Sequence, residues 1–235
     1  MRVRRTRRAC AAATAVVAVA LAGTACSADA STSLTATAAE HAEVLTELPA
    51  TVSGPRIVVG QASAPHTVTV FVDPRCSYCA KFEASGGTVL ADQAAAGRVR
   101  VEYVIASFLD ARTGGTASAH AANALRASVE AGPGKFASYQ AALFASRPSG
   151  ESRDGFSTDH LLKIADQVPG LRSAAFDKAV RDDTYATWVS SAEAAFEAAG
   201  VGGTPTVLVD GKPLAGGNGL YDATRFAEAL RDAGV

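Results

Sequence analysis

One short stretch constrains this chain more than any other. Residues 67–72, Thr-Val-Thr-Val-Phe-Val, are a β-branched and aromatic run that stops at Asp73-Pro74, and Cys76-Ser77-Tyr78-Cys79 follows at once. Ala80-Lys81-Phe82-Glu83 then has helical character, with Phe82 one turn past Tyr78. A strand feeding a helix that opens on a cysteine sets the sulfur among unpaired backbone N–H groups, at the positive end of the helix dipole. That setting favours thiolate over thiol and can draw a cysteine pKa from about 8.5 toward roughly 3.5–7. Cys76 is then the exposed nucleophile. Cys79, one turn further in, is spaced to reach back and break a mixed disulfide at Cys76.

Four cysteines occur in the chain, but Cys10 and Cys26 belong to its N-terminal segment, so the body keeps Cys76 and Cys79 alone. Three readings of such a pair compete. Zinc needs four ligands, and there is no second C-x-x-C; His41, His66, His120 and His160 stand singly. A structural disulfide across two residues removes little unfolded-chain entropy. The local sequence favours the third, a redox pair, for which neither metal nor cofactor is expected.

The N-terminus reads as an address. Arg2, Arg4, Arg5, Arg7 and Arg8 precede an Ala/Val-rich stretch, residues 9–25, that closes on Gly23-Thr24-Ala25. This stretch falls short of the ~20 strongly apolar residues of a membrane span, so residues 1–26 are taken as an export signal. Leu21-Ala22-Gly23-Thr24-Ala25-Cys26 resembles a bacterial lipobox, with Gly23 where that motif prefers Leu. Cys26 is therefore a candidate for lipidation, and membrane tethering through it stands beside simple secretion. Residues 27–54, rich in Ala, Ser and Thr, read as a flexible tether, with room for a short helix around 38–48. Without residues 1–26 the chain keeps 17 basic against 23 acidic residues, a net charge of −6. Its basic residues are dispersed, and no nucleic-acid partner is expected.

Far downstream lies Gly202-Gly203-Thr204-Pro205-Thr206-Val207-Leu208-Val209-Asp210-Gly211: a glycine-rich loop, a Thr-Pro pair, a β run and a hairpin turn. The strand leading into C-x-x-C and a helix, the helical middle and this Thr-Pro strand together resemble the DsbA-like branch of the thioredoxin superfamily, over roughly residues 55–235. The resemblance implies an α/β, thioredoxin-like fold with an inserted helical subdomain at about 113–200. It implies Cys76 as nucleophile, Cys79 as its partner, and Ser77 and Tyr78 as the residues that tune redox potential. It also implies a cis bond before Pro205, with Thr204 and Pro205 facing the sulfurs and contacting a client's backbone. One departure is Val70, which stands where many relatives bury a proton-shuttling acid. Asp73, Glu102 or water remain as substitutes.

The remaining pattern fits. Residues 57–59 read as a first strand, and residues 77–96 as the active-site helix, kinked at Gly86-Gly87. Residues 99–105 read as a buried strand, and 204–210 and 212–216 as closing strands. Residues 222–233 read as a last helix capped by Asp222. Within the middle, Tyr185, Trp188, Ala192, Ala195 and Ala199 recur at helical spacing as a core stripe. Two functions follow. The first is an exported, extracytoplasmic thiol:disulfide oxidoreductase, oxidase in direction more than reductase or isomerase, with thiol-bearing client proteins and a membrane redox partner that recycles it. The second is a cell-surface binding or chaperone-like module in which Cys76–Cys79 is only a structural disulfide.

Overall fold

A computed structural model describes residues 43–147, 155–214 and 217–235. Residues 1–26, read above as an export signal, with Cys26 and His41 lie outside the described residues. The β-branched run becomes β3 (His66–Val72), and the fold is assembled around it. On one side β4 (Val99–Ile105) runs parallel to it with Val70 opposite Tyr103. On the other, β5 (Thr206–Val209) runs antiparallel with Val70 opposite Val207. Val68, Val70 and Val72 are fully buried, as expected of a strand covered on both faces.

The full sheet has the order β1-β2-β4-β3-β5-β6. β2 (Arg56–Val59) pairs antiparallel with β4, and β6 (Lys212–Pro213) closes the far edge against β5. The last part of the segment expected to be a tether, residues 43–54, is structured. Residues 43–47 are helical (α1), and Ala50–Ser53 forms β1, in a hairpin with β2. Pairing with Ile57 and Val59, both buried, recruits a segment whose own composition looked like a linker.

The parallel β3–β4 pair needs a crossover, and the active-site helix supplies it. It is not one regular helix. α2 (Ser77–Phe82) passes through a π-helical turn (Glu83–Gly87) into α3 (Thr88–Ala95). Both glycines are required by close approach. A Cβ at Gly86 would stand 2.6 Å from the Phe82 ring, and one at Gly87 2.7 Å from a Glu83 carboxylate oxygen. The expected kink is thus an extra-residue turn that makes room for these two side chains.

Among the described residues between β4 and β5 are six helices: α4 (Phe108–Thr113), α5 (Ala117–Val129), α6 (Lys135–Ala145), α7 (Thr158–Ala165), α8 (Ala174–Arg181) and α9 (Ala186–Ala198). These are the inserted subdomain, and the architecture is a thioredoxin-like fold carrying it. Residues 182–185 separate α8 from α9, and Asp183 there takes φ 46°. The buried stripe of α9 keeps the expected Ala192 but takes Val189 and Phe196, each one position past the expected Trp188 and Ala195. Trp188 is half-buried and donates its indole N–H to the Gly54 carbonyl in the β1–β2 turn at 2.9 Å. α10 (Ala223–Asp232) ends the chain, with Asp222 accepting from the Arg225 amide at 2.9 Å as its N-cap.

Candidate active site

β3 ends against the loop 73–76, and Cys76 stands at the N-cap of α2 in extended conformation, φ −69°, ψ 120°. Its amide donates to the Asp73 carbonyl at 3.0 Å, and its carbonyl accepts from Ala80 at 3.2 Å, so the sulfur is carried on a closed turn. Cys79 is fully buried one turn on. Cys76 was expected to be partly exposed. It is 7% accessible, more open than Cys79 but shielded by the loop opposite. Tyr78, between them, is 54% exposed, the open flank of the pair.

That opposing loop belongs to the downstream motif. The Thr204–Pro205 peptide bond is cis, and the Cys76 thiol donates to the Thr204 carbonyl at 3.4 Å. The two sequence motifs, 128 residues apart, therefore meet at one site. The Thr204 hydroxyl is enclosed and has no settled hydrogen-bond partner, and it lies near enough to both sulfurs to lower their pKa values.

The two sulfurs are driven apart electrostatically. Cys76 is lowered to about 6, first by a hydrogen bond from the Cys79 thiol, against the cost of burial, and then by Thr204 and the Cys79 and Tyr78 amides. The helix N-terminus does contribute, as the sequence suggested, but the neighbouring thiol contributes more. Burial, followed by the hydrogen bond to Cys76 and then the Cys76 charge, pushes Cys79 well above the ordinary thiol range. One sulfur is built to hold a negative charge at neutral pH and its neighbour to hold a proton.

Of the candidate substitutes for an acid at Val70, Glu102 is committed elsewhere, to Arg56 at 3.4 Å and Arg100 at 3.5 Å. Asp73 is fully buried beside the loop. One carboxylate oxygen accepts from the Arg75 amide at 2.9 Å and the Ser118 hydroxyl at 2.7 Å, the other from the Leu109 amide at 3.1 Å. Burial still pushes its pKa up to about 7. A second acid, Glu83, escaped the sequence reading although it lies four residues past Cys79 on the same helical path. Its carboxyl accepts from the Gln140 amide at 3.1 Å, beside a cavity of about 30 Å³ bordered by Tyr103, and desolvation raises its pKa to about 7. Tyr221, in the 3₁₀ turn Gly217–Tyr221, also went unforeseen. Its ring lies 5.7 Å from that of Tyr78, and both sulfurs help to raise its pKa. No group of His, Cys, Asp or Glu among the described residues has the arrangement of a metal site.

The family model for thioredoxin matches residues 52–228. A search of curated protein sequences finds no match. Among solved structures, the MdbA thiol-disulfide oxidoreductase of Corynebacterium diphtheriae superposes with a TM-score of 0.63 at 18% identity, covering 78% of this chain and 94% of that one. BdbD of Bacillus subtilis gives 0.64 at 20% identity, covering 80% and 97%. MdbA of Actinomyces oris gives 0.64 at 24% identity, covering 77% and 86%. At these identities the likeness is one of fold.

Proposed function

This chain belongs to the thioredoxin family, and from that premise we propose that it is an exported thiol:disulfide oxidoreductase acting through Cys76 and Cys79. The observation that carries the reading is the opposed protonation of two neighbouring sulfurs, about 6 for Cys76 and well above 9 for Cys79, beneath the Thr204 carbonyl. A structural disulfide has no use for such a difference.

In the oxidase direction the resting site is the Cys76–Cys79 disulfide. A client thiolate attacks the Cys76 sulfur, forming a client–Cys76 bond and breaking the Cys76–Cys79 bond. The released Cys79 sulfur takes a proton, as its raised pKa dictates. A second client thiolate then attacks the client sulfur of the mixed disulfide and expels Cys76 as thiolate. The client loses two electrons and gains a disulfide; the Cys76–Cys79 pair gains both. A low-pKa leaving group departs faster, and a stabilised Cys76 thiolate favours the reduced enzyme, so the site favours oxidising its client. A membrane redox partner would remove the two electrons and restore the disulfide. The residue pair Ser77 and Tyr78 would tune this balance.

Thr204 and Pro205 are assigned to client binding. The loop they form faces the sulfurs, and an extended client segment laid beside it would present its cysteine to Cys76. Cys26, as a lipidated residue, would keep this reaction at the outer membrane surface; unmodified, it would leave the protein secreted.

The test is trapping. Cys76→Ala should abolish disulfide exchange with a reduced, unfolded client protein. Cys79→Ala should accumulate mixed disulfides at Cys76, because nothing remains to resolve them. An iodoacetamide reaction that labels Cys79 before Cys76, or exchange that survives Cys76→Ala, would remove the assignment.

A further inference from the structure

Arg75, directly before Cys76, is the largest fully buried side chain among the described residues, with 2% of its surface accessible. An arginine is almost never buried without a specific partner. Here its guanidinium donates to Asp110 at 2.9 Å, to the Gly114 carbonyl at 3.2 Å and to the Thr113 hydroxyl at 2.6 Å. Asp110 is itself held at the start of α5 by the Ser118 and Ala119 amides, at 3.0 and 2.9 Å. The main chain of residue 75 is tied as firmly. Its amide donates to Asp73, and its carbonyl accepts from Arg147 at 3.2 Å.

Stability alone is a poor reason for this arrangement. A buried ion pair is expensive to desolvate, and well-packed apolar side chains often replace one without loss. What the arrangement does secure is position. Arg75 and Cys76 share a peptide bond, so fixing the first fixes the Cα of the second to within a rigid ~3.8 Å step. The hydrogen bonds that hold charge on the Cys76 sulfur weaken steeply with angle and distance.

We propose that Arg75 is a positioning residue for the redox pair: its planar fork, anchored on Asp110, Thr113 and Gly114, sets the Cys76 sulfur against the Thr204 carbonyl and the first amides of α2. The inserted subdomain thereby takes part in the redox chemistry, although it contributes no reacting atom. Arg75 acts through geometry; the chief influences on Cys76 are Cys79, Thr204 and local amides. A lysine, which keeps the charge but lacks the fork, should therefore fail to substitute.

This inference rests on the oxidoreductase reading, and the experiment separates the two. Full-length protein is reduced, and the rate of Cys76 alkylation by iodoacetamide is followed from pH 4.5 to 9 for wild type, Arg75→Lys, Arg75→Met and Asp110→Asn. Urea unfolding midpoints are recorded beside it. Wild type should show a midpoint near 6 and exchange disulfides with oxidised glutathione. All three variants should shift the alkylation midpoint upward by about one unit, tenfold slower labelling at pH 5. The double variant Arg75→Lys with Asp110→Asn should be no worse than either single one. An unchanged alkylation midpoint with a lowered unfolding midpoint makes Arg75 merely architectural and overturns the proposal. Arg75→Lys behaving as wild type overturns it too, by assigning the effect to charge. Should Arg75→Met fail to fold, Arg75→Lys decides. Wild type that exchanges nothing with glutathione sinks the oxidoreductase reading and this inference with it.

Discussion

The pH dependence of the Cys76–Cys79 reduction potential tests the site in a single curve. Reduction delivers two electrons and as many protons as the resulting sulfurs hold. With Cys76 at about 6 and Cys79 well above 9, both sulfurs take up a proton below pH 6. Each pH unit then changes the equilibrium hundredfold, which for a two-electron couple is about 59 mV. Between pH 6 and 9 only Cys79 is protonated, and the slope should halve to about 30 mV per unit. At pH 7 roughly nine in ten Cys76 sulfurs should be thiolate, against about three in a hundred for an ordinary thiol. The assay equilibrates the protein with glutathione buffers of stepped ratio from pH 5 to 8.5. It quenches with acid, alkylates the free thiols and counts them by mass, with the buffer's own pH dependence subtracted. A slope of about 59 mV that persists to pH 8 would refute the argument, since Cys76 would still be protonated there. A slope near zero above pH 7 would refute it differently, because Cys79 would then have ionised as well.

Three further outcomes follow from the geometry. Glu83 has a folded pKa raised above its unfolded value of 4.5, so its contribution to stability is fully present below about pH 4.5 and is lost as pH rises through about 7. Glu83→Gln should shrink the difference in urea stability between pH 4.5 and 8, and parallel losses in variant and wild type would contradict this. Gly86→Ala drives a Cβ to 2.6 Å from the Phe82 ring and 3.0 Å from the Leu220 carbonyl. It should cost about 1–3 kcal/mol in urea unfolding, and a neutral result would mean that the π-helical turn has slack. Asp222→Ala removes the cap of α10 and should cost about 1 kcal/mol; an unaltered urea midpoint would leave that hydrogen bond without energetic weight.

What the sequence showed in advance is local. The β3 run, the helix that opens at Cys76 and the Asp222 cap each carry their cause within a few residues. Asp210-Gly211 does too: both residues take positive φ, 47° and 79°, as a two-residue hairpin turn requires. What stayed hidden depends on distant partners. Ala50–Ser53 is a strand only because Arg56–Val59 pairs with it. Arg75 looks like any surface arginine until Asp110, 35 residues away, covers it. The α9 stripe was misplaced because aromatics were weighted as core, whereas Trp188 serves a carbonyl on the β1–β2 turn and Val189 packs inward. The Cys76–Thr204 contact was foreseen from family resemblance; nothing within either motif alone requires it.

The far edge of the sheet bears on a hazard common to open sheets. Anything that handles unfolded chains risks having them zip onto an open strand as the first layer of an aggregate. β6 offers only Lys212 and Pro213. The Leu214 amide turns inward to Val207, so by the alternation of a strand the amide position of residue 213 faces outward. Proline fills it and brings no N–H. An extended chain arriving at this border meets a two-residue rung with its outward donor deleted and a lysine charge beside it. This border is thus blunt to strand addition, and on this side the sheet offers no template to another chain.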